Sequence, residues 1–214
     1  MIKVLNLYAG IGGNRKLWPN DKIEVTAVEI NPEIAKIYKS FYPNDEVIIG
    51  DAHKYLLEHY NEFNFIWTSP PCPTHSRMNF LKVEQNMKPR YPDMKLYEEI
   101  IFLSTWFKGI FCVENVISYY KPLKKPYISG NHYFWTNFHI DNLDKEKRGL
   151  IRVSMDGRIE YMQNNLKINL KDINCKKVLK SKVLSNCVNP KLGLHIFNMA
   201  FREQQTTLPI TLNS

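Results

Sequence analysis

Cys72 lies in the run Thr68-Ser69-Pro70-Pro71-Cys72-Pro73-Thr74-His75-Ser76, directly after the apolar stretch Phe63-Asn64-Phe65-Ile66-Trp67. Proline fixes φ and restricts the residue before it, so Pro70 and Pro71 stiffen the backbone beside the thiol. A rigid mount suits a nucleophile that must hold one geometry. A structural cysteine in a Pro-rich turn is the plainer alternative. Glu114, in Glu114-Asn115-Val116, ends another apolar run. It would stand beside Cys72 in a parallel sheet, unless it is only an exposed strand-end acid. In Ala9-Gly10-Ile11-Gly12-Gly13 the glycines let the backbone turn tightly and approach a ligand closely. Glu29, at the end of a second strand, is placed to bind a ribose diol, and Asp51, ending a third, suits an adenine amine or similar donor.

Elements must bring these groups together. Lys3 to Tyr8, Ile23 to Val28, Glu46 to Gly50, Phe63 to Trp67 and Gly109 to Val113 predict strands. Helices are predicted at about Asn14 to Trp18, Glu33 to Phe41, Leu96 to Phe107 and Lys191 to Arg202. The alternation implies an α/β fold with a mostly parallel sheet, whose carboxyl edge carries the Gly-rich turn, Glu29, Asp51, Cys72 and Glu114. Ligands bind at that edge in open α/β sheets. Arg77 to Asp93 is polar, without apolar period, and predicts a mobile loop long enough to act as a lid. Tyr133 to Trp135, Ile151 to Met155 and Arg158 to Met162 predict short strands, the last two joined in a hairpin at Asp156-Gly157.

A chain of 214 residues with 44% hydrophobic and 23% charged residues suits one α/β core with a small appendage. No stretch reaches the roughly 18 apolar residues of a membrane helix, and the first residues lack the apolar core of a signal peptide. The four cysteines form no CxxC pair, so neither a zinc site nor any other metal is expected. A reducing cytoplasm is the expected compartment. The net charge of +8 is concentrated, because residues 121–182 hold 14 Lys and Arg against 6 Asp and Glu. Such a run is a solvated face or a polyanion-binding surface. Arg148, Arg152 and Arg158 flank or lie in the expected hairpin, and Arg reads guanine bidentately.

In these motifs the chain resembles the DNA (cytosine-5)-methyltransferases. Asn6-Leu7-Tyr8-Ala9-Gly10-Ile11-Gly12-Gly13 is similar to their first motif, which holds S-adenosylmethionine (SAM). Glu29 and Asp51 match the ribose and adenine acids, Pro71-Cys72 the nucleophile, and Glu114-Asn115-Val116 the Glu-Asn-Val motif. Ser185-Asn186-Cys187-Val188 is similar to a late motif that closes the cofactor pocket. The resemblance implies a Rossmann-like SAM domain at 1–120, a small basic target-recognition lobe at 121–182 and a returning segment at 183–214. It implies a cofactor set of Tyr8, Ala9, Gly10, Ile11, Gly12, Gly13, Glu29, Ile30, Asp51, Ala52, Pro71, Asn186 and Val188. Cys72 and Glu114 would be catalytic, with Ser76, Asn115, His132 and the three arginines toward the substrate. His132 stands where the family usually has Arg, Pro73 where Gln is common after the nucleophile, and Asn6 where Asp is common. The implied partners are double-stranded DNA and a cognate restriction endonuclease, in a DNA-associated cytoplasmic protein.

Three rival classes share parts of the pattern. Amino-methyltransferases carry Ser-Pro-Pro followed by an aromatic, but Cys72 takes the aromatic's place here. A tRNA cytosine methyltransferase would share the fold. A regulatory subunit of the same fold would be expected to lose Cys72 or Glu114, and both are present.

Overall fold

A computed structural model describes residues 1–85, 87–88, 90–143 and 154–202, with only the backbone of 82–84. Five parallel strands form the frame: β1 (Ile2–Leu7), β2 (Ile23–Glu29), β3 (Glu46–Ile49), β4 (Phe65–Thr68) and β5 (Ile110–Val116). Two further strands, β6 (Tyr127–Ser129) and β7 (His132–Thr136), add an antiparallel edge. The seven-stranded order is β3-β2-β1-β4-β5-β7-β6, a mostly parallel sheet of Rossmann-like kind.

Strands buried on both faces read as continuous apolar runs. In β4 all four residues, Phe-Ile-Trp-Thr, are buried. The period of two sends Leu5, Leu7 and Ile66 to one face, under α2 (Ala52–His59) and α4 (Lys95–Trp106). Val4, Phe65 and Trp67 face the other way, against Trp18 and the C-terminal helix α7 (Pro190–Ala200). Trp18 stacks on Phe197 at 5.1 Å, and its indole donates to the Gly193 carbonyl at 3.2 Å. On α1 (Pro32–Phe41), Tyr38 packs on Ala9 and Ala27, and Asn31 caps the helix by accepting from Glu33 and Ile34. Among the described residues no helix is long and apolar enough to cross a membrane.

Three expected elements differ. No helix forms at 14–18, where successive turns run instead. Asn14 donates to Asn6 at 2.9 Å and Arg15 forms a buried pair with Asp45 at 3.0 Å, and these partners hold the segment in turns. The Arg77–Asp93 segment begins with α3 (Met78–Glu84) rather than a plain loop. Its buried Asn79 donates to the Pro73 and Ser76 carbonyls and accepts from Arg90, docking the segment on the Cys72 loop. The expected hairpin at Asp156-Gly157 is the first turn of α5 (Met155–Leu166). Ser154 caps it by accepting from Gly157, and Ile159, Met162 and Leu166 face the core at helical spacing. Residues 151–153 of the other expected strand lie outside the described residues. Helix α5 pairs with α6 (Lys177–Ser185), and both share a core with Ile11, Ile34 and Ile37.

Candidate active site

The Gly-rich turn leaves β1 through Tyr8, which is left-handed at φ 54°, with Gly10 at 55° and Gly12 at 74°. Each glycine has its own reason. Gly10 has open space where a Cβ would stand, so its backbone is bare to a ligand. A Cβ on Gly12 would meet the Tyr38 ring at 2.8 Å, and one on Gly13 would collide with the Cys187 sulfur. Glu29 braces this turn, accepting from the Gly10 N–H at 3.0 Å and the Asn31 N–H at 2.9 Å. Ala9 and Ile11 are buried beneath the turn. Asp51 caps α2 by accepting from Lys54 at 3.0 Å, and that N–H, first among its neighbours, holds its carboxyl below the usual range.

These ends frame a cavity of about 200 Å³. Tyr8, Glu29, Ile30, Asp51, Ala52 and Pro71, all expected at the cofactor, line it. Ala9, Gly10, Ile11, Gly12, Gly13, Asn186 and Val188, expected there too, are not among the lining residues. Val188 is buried in the core beside Trp18, and Asn186 is an exposed cap of α6. Their segment still approaches the Gly-rich turn from behind, through Cys187 and the Val188 carbonyl at Gly13.

Cys72 is half-buried beyond the Pro70-Pro71 step. Its carbonyl accepts from the His75 and Ser76 N–H groups at 3.0 Å, curling the loop around the thiol's own residue. Asn115 fastens the loop to the neighbouring strand by donating to the Pro70 carbonyl at 2.9 Å. Glu114, 6% exposed, stands one residue before it on β5. Burial pushes the Cys72 thiol up, and the nearby Glu114 carboxylate pushes it further. The free thiol is therefore held protonated. His132 opens β7 opposite Val116, with its Nε2 3.7 Å from Glu114 Oε1. Ser76 bridges to Ser118 and accepts from the Met78 N–H. Arg158 is exposed on α5, donating to Ser185 at 3.3 Å, while Arg148 and Arg152 lie outside the described residues.

Several cavity residues escaped sequence reasoning. His75 lines the cavity, only 1% exposed, with Nδ1 sharing a 2.6 Å hydrogen bond with the Tyr120 hydroxyl. Burial lowers its pKa and keeps it neutral. Its place three residues after the cysteine was the available signal. Asp93, Lys95 and Leu96 also line the cavity, brought there where α3's segment runs into α4. Nothing in their spacing announces that.

Comparison with known proteins agrees with this architecture. The profile of the family described as C-5 cytosine-specific DNA methylase matches residues 2–124. The bovine (Bos taurus) tRNA (cytosine(38)-C(5))-methyltransferase is 30% identical over 82 residues, spanning 36% of this chain and 21% of that protein. The Entamoeba histolytica methyltransferase EhMeth superposes with a TM-score of 0.60 at 12% identity, covering 94% of this chain and 98% of that one. A Spodoptera frugiperda DNMT2 mutant superposes at 0.57 and 13% identity, over 94% and 100% of the two chains. At such identities the superpositions speak for the fold, and the profile match over more than half of the chain speaks for the family. The chain belongs to the C-5 cytosine-specific DNA methylases.

Proposed function

We propose that the protein transfers a methyl group from SAM to carbon-5 of a flipped-out cytosine in duplex DNA, through a covalent Cys72 adduct. The observation that carries the reading is the pairing of Cys72, just past the end of β4, with Glu114 on the adjacent β5, beside the cavity framed by Glu29 and Asp51. The residues present fit SAM. Gly10 offers a bare backbone, Glu29 and Asp51 offer acceptors for ribose and adenine, and Ile30, Pro71 and Leu96 offer apolar walls. Bound there, SAM supplies an electrophilic methyl group for carbon-5.

The chain's own groups make carbon-5 able to take that methyl. Carbon-5 of cytosine is a poor nucleophile. Addition of the Cys72 thiolate at carbon-6 turns the ring into an enamine-like carbon nucleophile, splitting one hard step into two. Glu114 supports the addition with a proton or hydrogen bond at ring nitrogen-3. After methylation a base removes the proton from carbon-5, the C–S bond breaks and the thiol is restored. His132, beside Glu114, would face the base from the next strand. Inside a duplex the carbon is out of reach, so the base must leave the stack. Exposed lysines of the 121–182 segment, Lys121, Lys124, Lys125 and Lys176 among them, would contact phosphates. A restriction endonuclease reading the same site is the protein partner this function would accompany.

One observation favours a second reading, cytosine in tRNA: the 82-residue likeness to the bovine tRNA enzyme. Bisulfite sequencing of both DNA and tRNA from cells expressing the protein separates the two. We expect new 5-methylcytosine at one short DNA site, absent in Cys72→Ala. Methylation confined to tRNA would replace the DNA reading with the RNA one.

A further inference from the structure

Beneath the cavity lies a carboxylate that the chemistry above does not use. Glu99, on α4, is 0% exposed. Its Oε1 accepts from the Tyr8 hydroxyl at 2.6 Å and its Oε2 from the Thr68 hydroxyl at 2.6 Å. His53 Nδ1 donates to Oε1 at 3.1 Å, while the other ring nitrogen meets Glu98 at 3.2 Å. A buried carboxylate is costly unless hydrogen-bonded, and this one has a donor from each of three elements. Those elements are the walls of the cavity. Tyr8 begins the Gly-rich turn, Thr68 ends the strand before Cys72, and His53 follows Ala52 on α2. Leu96 precedes Glu99 by one helical turn and lines the cavity itself.

Tyr8 gives the cluster its consequence. It is the non-glycine residue in the turn with a left-handed backbone, a conformation that costs about 1–2 kcal/mol and persists where the surroundings impose it. Its hydroxyl is one of Glu99's short donors, and its ring lines the cavity. The Tyr8 phenol is pushed far above its ordinary range by burial and then by Glu99, so it stays a donor at every working pH.

We propose that Glu99 is a positioning residue for cofactor binding, holding Tyr8, and with it the Gly-rich turn, in the geometry that receives SAM. The inference rests on the SAM reading of the same cavity. Its test is calorimetric SAM binding and thermal unfolding of the cofactor-free protein, for wild type, Tyr8→Phe, Glu99→Gln and the double variant. Tyr8→Phe keeps the ring and deletes only the donor. Each single variant should bind SAM roughly tenfold more weakly, the worth of a hydrogen bond to a charged group. The double variant should bind no more weakly than the weaker single one, because both remove the same contact. Multiplying losses would overturn the inference, since the two residues would then act independently. So would unchanged affinity in both single variants with a lowered melting temperature in Glu99→Gln, which would leave Glu99 a structural group. No SAM binding by the wild type would instead overturn the cofactor reading, and this inference with it.

Discussion

Cys72 and Glu114 pull against each other in the free protein. The carboxylate that would help the substrate also raises the pKa of the thiol that must attack it, adding to the effect of burial. Sign and size both give tests. Alkylation of Cys72 by iodoacetamide should keep accelerating above pH 9, because the folded pKa lies above the ordinary value of 9.0. Mass spectrometry of the modified peptide reads it, and a plateau below pH 8 would contradict the assignment. Glu114→Gln removes the neighbouring charge, so the thiol should ionise at lower pH and alkylate faster. The same variant should methylate about 10²- to 10⁴-fold more slowly, the usual worth of proton help in the transition state. Faster alkylation with slower turnover is a split that simple damage to the loop would not produce. At this scale the sequence was informative about the placement of Cys72, Glu29 and Asp51 at or just past strand ends, while Glu114 lies inside β5, one residue beyond the Val113 that pairs with the end of β4. The sequence was silent about Glu99, whose role depends on three partners distant in the chain.

At the scale of elements, the Gly-rich turn is where geometry is tightest. Gly13→Ala would drive a Cβ into the Cys187 sulfur and the Val188 carbonyl, parting the turn from the segment before α7. Overpacking of this kind costs about 1–3 kcal/mol. Gly10→Ala meets no atom but must hold φ 55°, at about 1–2 kcal/mol. Thermal unfolding should therefore fall in both. SAM affinity should fall more in Gly10→Ala, whose new methyl stands on the bare backbone beside the ligand. Equal SAM affinity in Gly10→Ala and wild type would place the ligand elsewhere. Strands β1, β2, β4 and β5 were legible because their apolar runs are largely buried, whereas β3, at the sheet edge, was legible from its Val47-Ile48-Ile49 run alone. Helix α5 was misread as a hairpin because Asp156-Gly157 is as good a first helical turn as a two-residue turn. The spacing of Ile159, Met162 and Leu166 carried the better signal, and burial against α6 and Ile11 decides it.

Across the whole molecule the excess of positive charge is confined to one segment of the chain. Lys124, Lys125, Lys176 and Lys177 are exposed, although Lys177 pairs with Asp156 at 2.8 Å and Lys124 donates to Ser104. If these lysines meet phosphates, affinity should fall with salt at a log–log slope near −0.9 per phosphate neutralised. Reversing the four to Glu should weaken nucleic-acid binding to all sequences alike and flatten that slope, while SAM affinity stays unchanged. Undiminished binding would make the charge a solvated face. The α/β class was legible in the order of motifs, and so was β7, expected as a strand at Tyr133 to Trp135; β6 was not, since a three-residue strand offers little pattern. The central claim, covalent attack by Cys72 on cytosine in DNA, meets its most direct test in a duplex carrying 5-fluorocytosine at the methylated site. Fluorine cannot leave as a proton does, so the reaction should stall after methyl transfer. The account predicts a denaturation-resistant protein–DNA adduct that requires SAM and is absent in Cys72→Ala. Methylation of cytosine carbon-5 by the alanine variant, or an adduct that survives its loss, would contradict it.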